Sequence, residues 1–122
     1  MAYDPNNIFA RILRGEIPNK TVYEDDHVLA FHDINPQTKV HVLVIPKGAY
    51  VSFADFSQNA SPEEITAFMR AAGKIARDLG VEEDGYRILS NHGVHAAQEV
   101  PHFHLHLFGG QRLGRMIKPI ES

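Results

Sequence analysis

The chain reads as an α+β domain, with about five strands in a largely antiparallel sheet and two helices. Three observations predict this. Apolar runs of four to seven residues alternate with turn signals, two segments carry helical spacing, and most strand-to-strand connections are short. At 122 residues, one core accounts for the whole chain. The expected unit is a single domain over 1–122, with a core of about 5–110 and a C-terminal tail over 111–122.

Ile8, Phe9, Ile12 and Leu13 follow the spacing of a short amphipathic helix, and Gly15 is placed to end it. Thr21–Glu24 and His27–His32 are short strands broken at Asp25-Asp26, the form of a hairpin. Asn35-Pro36-Gln37 is a turn. Val40–Pro46 is apolar nearly throughout, as a central strand covered on both faces should be, and Pro46 closes it. Ser61, Pro62 and Glu64 form the start of a second helix: an N-cap, a proline at the first helical position and a capping-box glutamate. Ile65, Phe68, Met69, Ala72, Ile75, Ala76 and Leu79 give that helix one apolar stripe, and Gly80 stops it. Tyr86–Asn91 reads as a strand, 92–100 as a loop, and 102–108 as a last strand ending at Gly109-Gly110.

A hydrophobic content of 43% with 22% charged residues marks a globular, soluble chain. A net charge of -3 argues against a nucleic-acid or anionic-membrane surface. No apolar run approaches the eighteen or so residues of a membrane span. The N-terminus carries neither a basic leader nor an apolar h-region. The absence of cysteine removes disulfides and thiolate metal sites, and fits a cytoplasmic setting.

Of the eight histidines, His102, His104 and His106 stand at every second position, with Phe103, Leu105 and Leu107 between or beside them. On a strand this puts three imidazoles on one face, neighbours roughly 6.6 Å apart. A bland reading is a solvated strand face. A metal site is a second, but zinc bonds near 2.1 Å would require a third ligand from elsewhere, such as His41 or Asp33. A third is nucleophilic catalysis. A neutral ring nitrogen attacks phosphorus in line, flanking N–H groups hold the phosphoryl oxygens, and a proton donor assists the leaving group. His27, His92 and His95 read as surface or structural residues.

The row has the form His-φ-His-φ-His-φ-φ, with φ apolar, and its flanks extend the pattern. These are Ile8-Phe9 through Gly15-Glu16-Ile17-Pro18, Ala30 to Pro36, His41 to Lys47, Gly85-Tyr86-Arg87, Asn91-His92-Gly93 and Gln98-Glu99-Val100. Together they resemble the histidine triad (HIT) superfamily, in its nucleotide-binding branch and with a bacterial-like character, over roughly residues 5 to 114. The resemblance implies a HIT fold whose sheet continues across a homodimer into ten strands. The implied activity is a purine nucleoside phosphoramidase that hydrolyses AMP–amine conjugates through an adenylyl-histidine, needing neither metal nor cofactor. The implied substrates are purine mononucleotide conjugates of the AMP or GMP type.

Carried over by motif, His104 is the nucleophile and His106 contacts the α-phosphate, while His102 and His41 support and orient the ring. Asp33 matches the ribose-binding carboxylate, although its residue type and place equally suit an Asx turn. Ile34 matches part of the base pocket; Asn91, Ala97, Gln98 and Glu99 match phosphate-contacting positions. The backbone N–H groups of Gln98 and Glu99, leading into the triad, are placed to face the phosphate. Glu99 stands where animal relatives carry a serine that helps protonate the leaving amine, and the tail lacks their Trp-Pro-Pro-Gly ending. A dinucleoside polyphosphate hydrolase of the same superfamily is an alternative. So is a nucleotide-binding regulatory module with incidental catalysis.

Overall fold

A computed structural model describes residues 2–120. Met1 and the last two tail positions, Glu121 and Ser122, lie outside the described residues. Five strands form one sheet: β1 (Thr21–Glu24), β2 (Val28–His32), β3 (Val40–Pro46), β4 (Arg87–Leu89) and β5 (Leu105–Gly109). Their order is β1-β2-β3-β5-β4, and every neighbouring pair is antiparallel. Among the described residues three α-helices accompany them, α1 (Ile8–Leu13), α2 (Phe53–Asn59) and α3 (Pro62–Asp78), with one 3-10 turn at Val94–Ala96.

The chain builds each element from local signals. Asn7 caps α1 by accepting a hydrogen bond from the Ala10 N–H at 2.9 Å, and Gly15 leaves the helix at φ +78. The β1–β2 hairpin turns on Asp25, whose Oδ1 accepts from the N–H groups of His27 and Val28 at 2.7 and 2.8 Å. At α3, Ser61 and Glu64 close the capping box reciprocally. The second helix, α2, is an addition to the two expected. Its N-cap is Ser52, with Asp55 three residues later, the same cap signature in a segment with little apolar periodicity.

Period-two alternation divides the sheet into two unequal sides. Val28, Ala30, Val42, Val44, Phe103 and Leu107 pack against Phe56 of α2 and against Phe68, Ala71, Ile75 and Ala76 of α3. On the other side, Leu29, Phe31, Leu43 and Ile45 meet Phe9 and Ile12 of α1. That second layer is one short helix thick, and the rest of that side of the sheet is open to the pocket described below. Gly109 lets β5 pass close to Val81, since a Cβ there would stand 3.0 Å from its side chain.

Two strands are shorter than expected. β4 covers three residues, and β5 begins at Leu105, so His102 and His104 precede the strand and His106 alone of the three lies within it. The register explains the second difference. Val42 faces Leu107 and Val44 faces Leu105, so the next ladder position would set Phe103 opposite Pro46. Pro46 has no N–H to donate, and the Phe103 N–H donates instead to the Tyr50 carbonyl at 2.7 Å. The alternation of sides nevertheless persists through residue 103, which enters the larger core.

Leu107 is fully buried in that core. Leu107→Ala is expected to lower the unfolding free energy by about 2–5 kcal/mol. Urea unfolding followed by circular dichroism checks this, and a loss below about 1 kcal/mol would contradict the assigned core.

Candidate active site

Each ring of the triad is held by a group whose hydrogen-bonding role is fixed. Carbonyl oxygens only accept and backbone N–H groups only donate, so the bonds themselves assign the protons. His104 Nδ1 lies 2.7 Å from the His102 carbonyl and therefore carries the proton. In the neutral ring this leaves Nε2 as a bare lone pair. His102 is buried; its Nε2–H donates to the Pro46 carbonyl at 2.8 Å, and its Nδ1 accepts from the Tyr3 hydroxyl at 2.7 Å.

The third ring is set by a relay. The Gln37 backbone N–H donates to His41 Nδ1 at 3.1 Å, which puts the proton of His41 on Nε2. That N–H donates to His106 Nδ1 at 2.9 Å, with Asp33 Oδ2 a further 3.4 Å contact. His106 is thus left with its own proton on Nε2, a donor on a ring that lines the pocket. Phe108 backs both rings, stacked at 3° on His106 and 4.3 Å between centroids from His41.

Burial keeps these rings neutral. It pushes His102 and His106 down to about 4, with the neighbouring imidazoles adding to the effect, and it lowers His104 and His41 as well. Asp33 opposes the shift at His41, His104 and His106 but does not reverse it. The solvated-face reading of the triad is therefore corrected: His102 and His104 are buried because Tyr3 and Phe9 cover them.

The pocket is a cleft of about 500 Å³ on the α1 side of the sheet. His104 and His106 are among its lining residues. Ile8, Phe9, Ile12 and Ile17 with Phe31, Ile34 and Leu43 make one apolar wall, and Asn91, Ala97 and Glu99 line another part. Asp33 belongs to the lining and also serves the turn, since its Oδ1 accepts from the Asn35 N–H at 2.8 Å. The Asx-turn reading of that carboxylate holds in the geometry.

Three expected site residues do not line the cleft. His41 and His102 stand behind the rings they support. Gln98 is a brace: its side chain accepts from the Gly93 N–H and donates to the carbonyls of Val51 and Val100. Its own backbone N–H is spent on the Gly93 carbonyl at 3.0 Å, so the expectation that this N–H faces a phosphate is corrected. The loop it braces carries Ala97 in the left-handed region at φ 55, a conformation costly for a residue with a Cβ. Phe9 and His32, which also line the cleft, were not expected there. Phe9 meets the His104 ring edge-on at 4.9 Å. Its apolar spacing marked it for packing, and packing against a reactive ring leaves no separate sequence signal.

Asp33, His41 and His106 place one ligand atom each within 4.8 Å of one another, a grouping compatible with a cation. The proton that His41 shares with His106 occupies the same space, so metal binding would have to displace it.

The site thus joins a triad with one bare nitrogen to an apolar cleft with a carboxylate in its lining. The HIT domain family model matches residues 14–113. The chain belongs to the HIT family. Among HIT relatives, an uncharacterised HIT-like protein of Azospirillum brasilense is 64% identical over 94% of both chains. The purine nucleoside phosphoramidase of Escherichia coli K12 is 44% identical over 90% of this chain and 92% of its own. A histidine triad protein from Clostridium difficile superposes with a TM-score of 0.85 at 37% identity, covering 95% of this chain and all of that one. A HIT family hydrolase from Clostridium thermocellum gives 0.84 at 41% identity, covering 93% and 97%. The family and these neighbours make the protein a HIT family hydrolase.

Neutral burial has a signed consequence for stability. An unfolded histidine titrates near 6.5, whereas the folded rings of His102 and His106 take up a proton only near pH 4. Between those values the unfolded chain binds more protons, so stability is full above pH 6.5 and falls as the pH drops toward 4. Each ring steepens the fall by up to about 1.4 kcal/mol per pH unit. Urea midpoints measured from pH 7.5 to 4.5 should decline; a flat profile would contradict neutral, buried imidazoles.

Proposed function

We propose that this HIT hydrolase is a purine nucleoside phosphoramidase, acting on adenosine 5′-phosphoramidate-type conjugates through covalent adenylylation of His104. The single observation carrying this is the bond of His104 Nδ1–H to a backbone carbonyl, which leaves Nε2 unprotonated on a ring that lines a cleft of about 500 Å³. The named activity of the Escherichia coli relative supports the same choice of substrate.

The bonds balance in two steps. His104 Nε2 attacks phosphorus, forming an N–P bond as the bond to the leaving amine breaks. The ring becomes cationic, and its Nδ1–H, directed at the His102 carbonyl, spreads that charge. His106 Nε2–H meets a phosphoryl oxygen on which charge gathers. The leaving nitrogen takes a proton from solvent water in the open cleft, and the exposed carboxylate of Glu99, part of the lining, receives the departing cationic amine. Water then attacks phosphorus, breaking the His104–P bond to release AMP and giving its proton back to solvent. The apolar wall around Phe9, Phe31 and Ile34 takes the purine, and Asp33 the ribose diol. Ala97 and Asn91 border the phosphate.

The reading includes a cytoplasmic homodimer. β4 is an edge strand that exposes Ile88, with Tyr86 exposed just before it, which suits pairing with a second copy into a ten-stranded sheet. No metal or cofactor takes part in the proposed steps.

Enzyme quenched during turnover of adenosine phosphoramidate is expected to carry an adduct of AMP mass on the peptide containing 102–108. The adduct should be absent in His104→Ala and persist in EDTA. Turnover without any adduct, or turnover abolished by chelation, would refute the covalent, metal-free route.

A further inference from the structure

We infer that Tyr3 is a positioning residue for the attacking imidazole, acting through His102; the inference rests on the phosphoramidase reading above. The phenol O–H of Tyr3 donates to His102 Nδ1 at 2.7 Å, and the two rings meet edge-on with centroids 5.6 Å apart. Pro46 holds the other nitrogen of the same ring at 2.8 Å. His102 is therefore gripped at both nitrogens, by the third residue of the chain and by the end of a central strand. Its peptide carbonyl is the group that accepts the proton of His104 Nδ1. What fixes the His102 ring thus fixes the acceptor that aims the nucleophile.

The segment carrying Tyr3 is tied down. Asn7, which caps α1, donates from both its side-chain amide and its backbone N–H to the Asp4 carbonyl, at 2.7 and 3.2 Å. Arg14 donates to the Pro5 carbonyl at 2.6 Å. These bonds join the N-terminal residues to the helix that also supplies Phe9 against His104. Tyr3 is the donor that keeps His102 Nδ1 from being a buried acceptor without a partner, an arrangement that proteins avoid. Tyr3 itself does not line the cleft. Its removal should therefore affect the chemical step rather than substrate binding.

Tyr3→Phe keeps the ring and removes only the hydroxyl. We expect kcat to fall roughly 5- to 20-fold, the scale of one unsatisfied buried polar group, with KM within about twofold. In ¹⁵N-histidine NMR spectra of the same variant, the His102 Nδ1 resonance should move toward the value of an unbonded imine nitrogen. The Nδ1–H form of His104 should lose population to the other tautomer. Unchanged kcat would overturn the inference, as would a lowered kcat with both resonances unmoved. Should the wild-type protein turn over no phosphoramidate, the activity reading fails by itself. The His104 tautomer ratio in Tyr3→Phe then decides the role of Tyr3: a shift supports it, and identity with wild type overturns it.

Discussion

The hydrogen bond from His104 Nδ1 to the His102 carbonyl is the contact on which the site depends. An imidazole in water divides its proton between two nitrogens and turns freely. Here one backbone oxygen removes both freedoms, leaving the lone pair of Nε2 in a single place. That oxygen is itself immobile because the chain around it is anchored on each side. The Phe103 N–H donates to Tyr50, the Phe103 ring is sunk among Phe56 and Phe68, and the His102 ring bridges Pro46 and Tyr3. Packing on one side of the sheet thereby becomes aim on the other.

Burial and reactivity pull the same way in this arrangement. Removing imidazoles from water disfavours their charged form, on the order of 3 kcal/mol for His102. The nucleophile of the proposed reaction must be unprotonated, and the burial that lowers the pKa of His104 favours that form at neutral pH. Among the described residues no buried side-chain nitrogen or oxygen is without a partner, so this desolvation leaves no orphaned polar atom behind. The sheet supplies the needed asymmetry. α2 and α3 seal one face, whereas short α1 covers only part of the other and leaves a cleft beside the rings.

Much of this organisation was legible in the residue pattern, because the sheet's alternation and the caps of α1 and α3 are local signals. The spacing of His102, His104 and His106 marked the rings that the structure links by hydrogen bonds, two of them lining the cleft. It overstated the strand, since the end of β5 depends on Pro46, a residue more than fifty positions away, and on its missing N–H. Helix α2 carried a cap signature in Ser52 and Asp55 but too little periodicity to declare itself. Gln98 was read as a phosphate contact by resemblance, and its backbone N–H by its place before the triad, while its hydrogen bonds depend on Gly93 and Val51 being brought together by the fold. Tyr3 gave no signal at all. Its partner is 99 residues away, and a tyrosine near a terminus has no periodicity to betray it.

The most direct measurement of the central claim is the protonation map of His104 in the wild-type protein, by ¹⁵N–¹H correlation spectra between pH 6 and 8. The geometry predicts a single neutral tautomer over that range, with the proton on Nδ1 and an imine-type Nε2. A ring protonated on Nε2, or one exchanging evenly between tautomers, would contradict the account of how this histidine is prepared to attack.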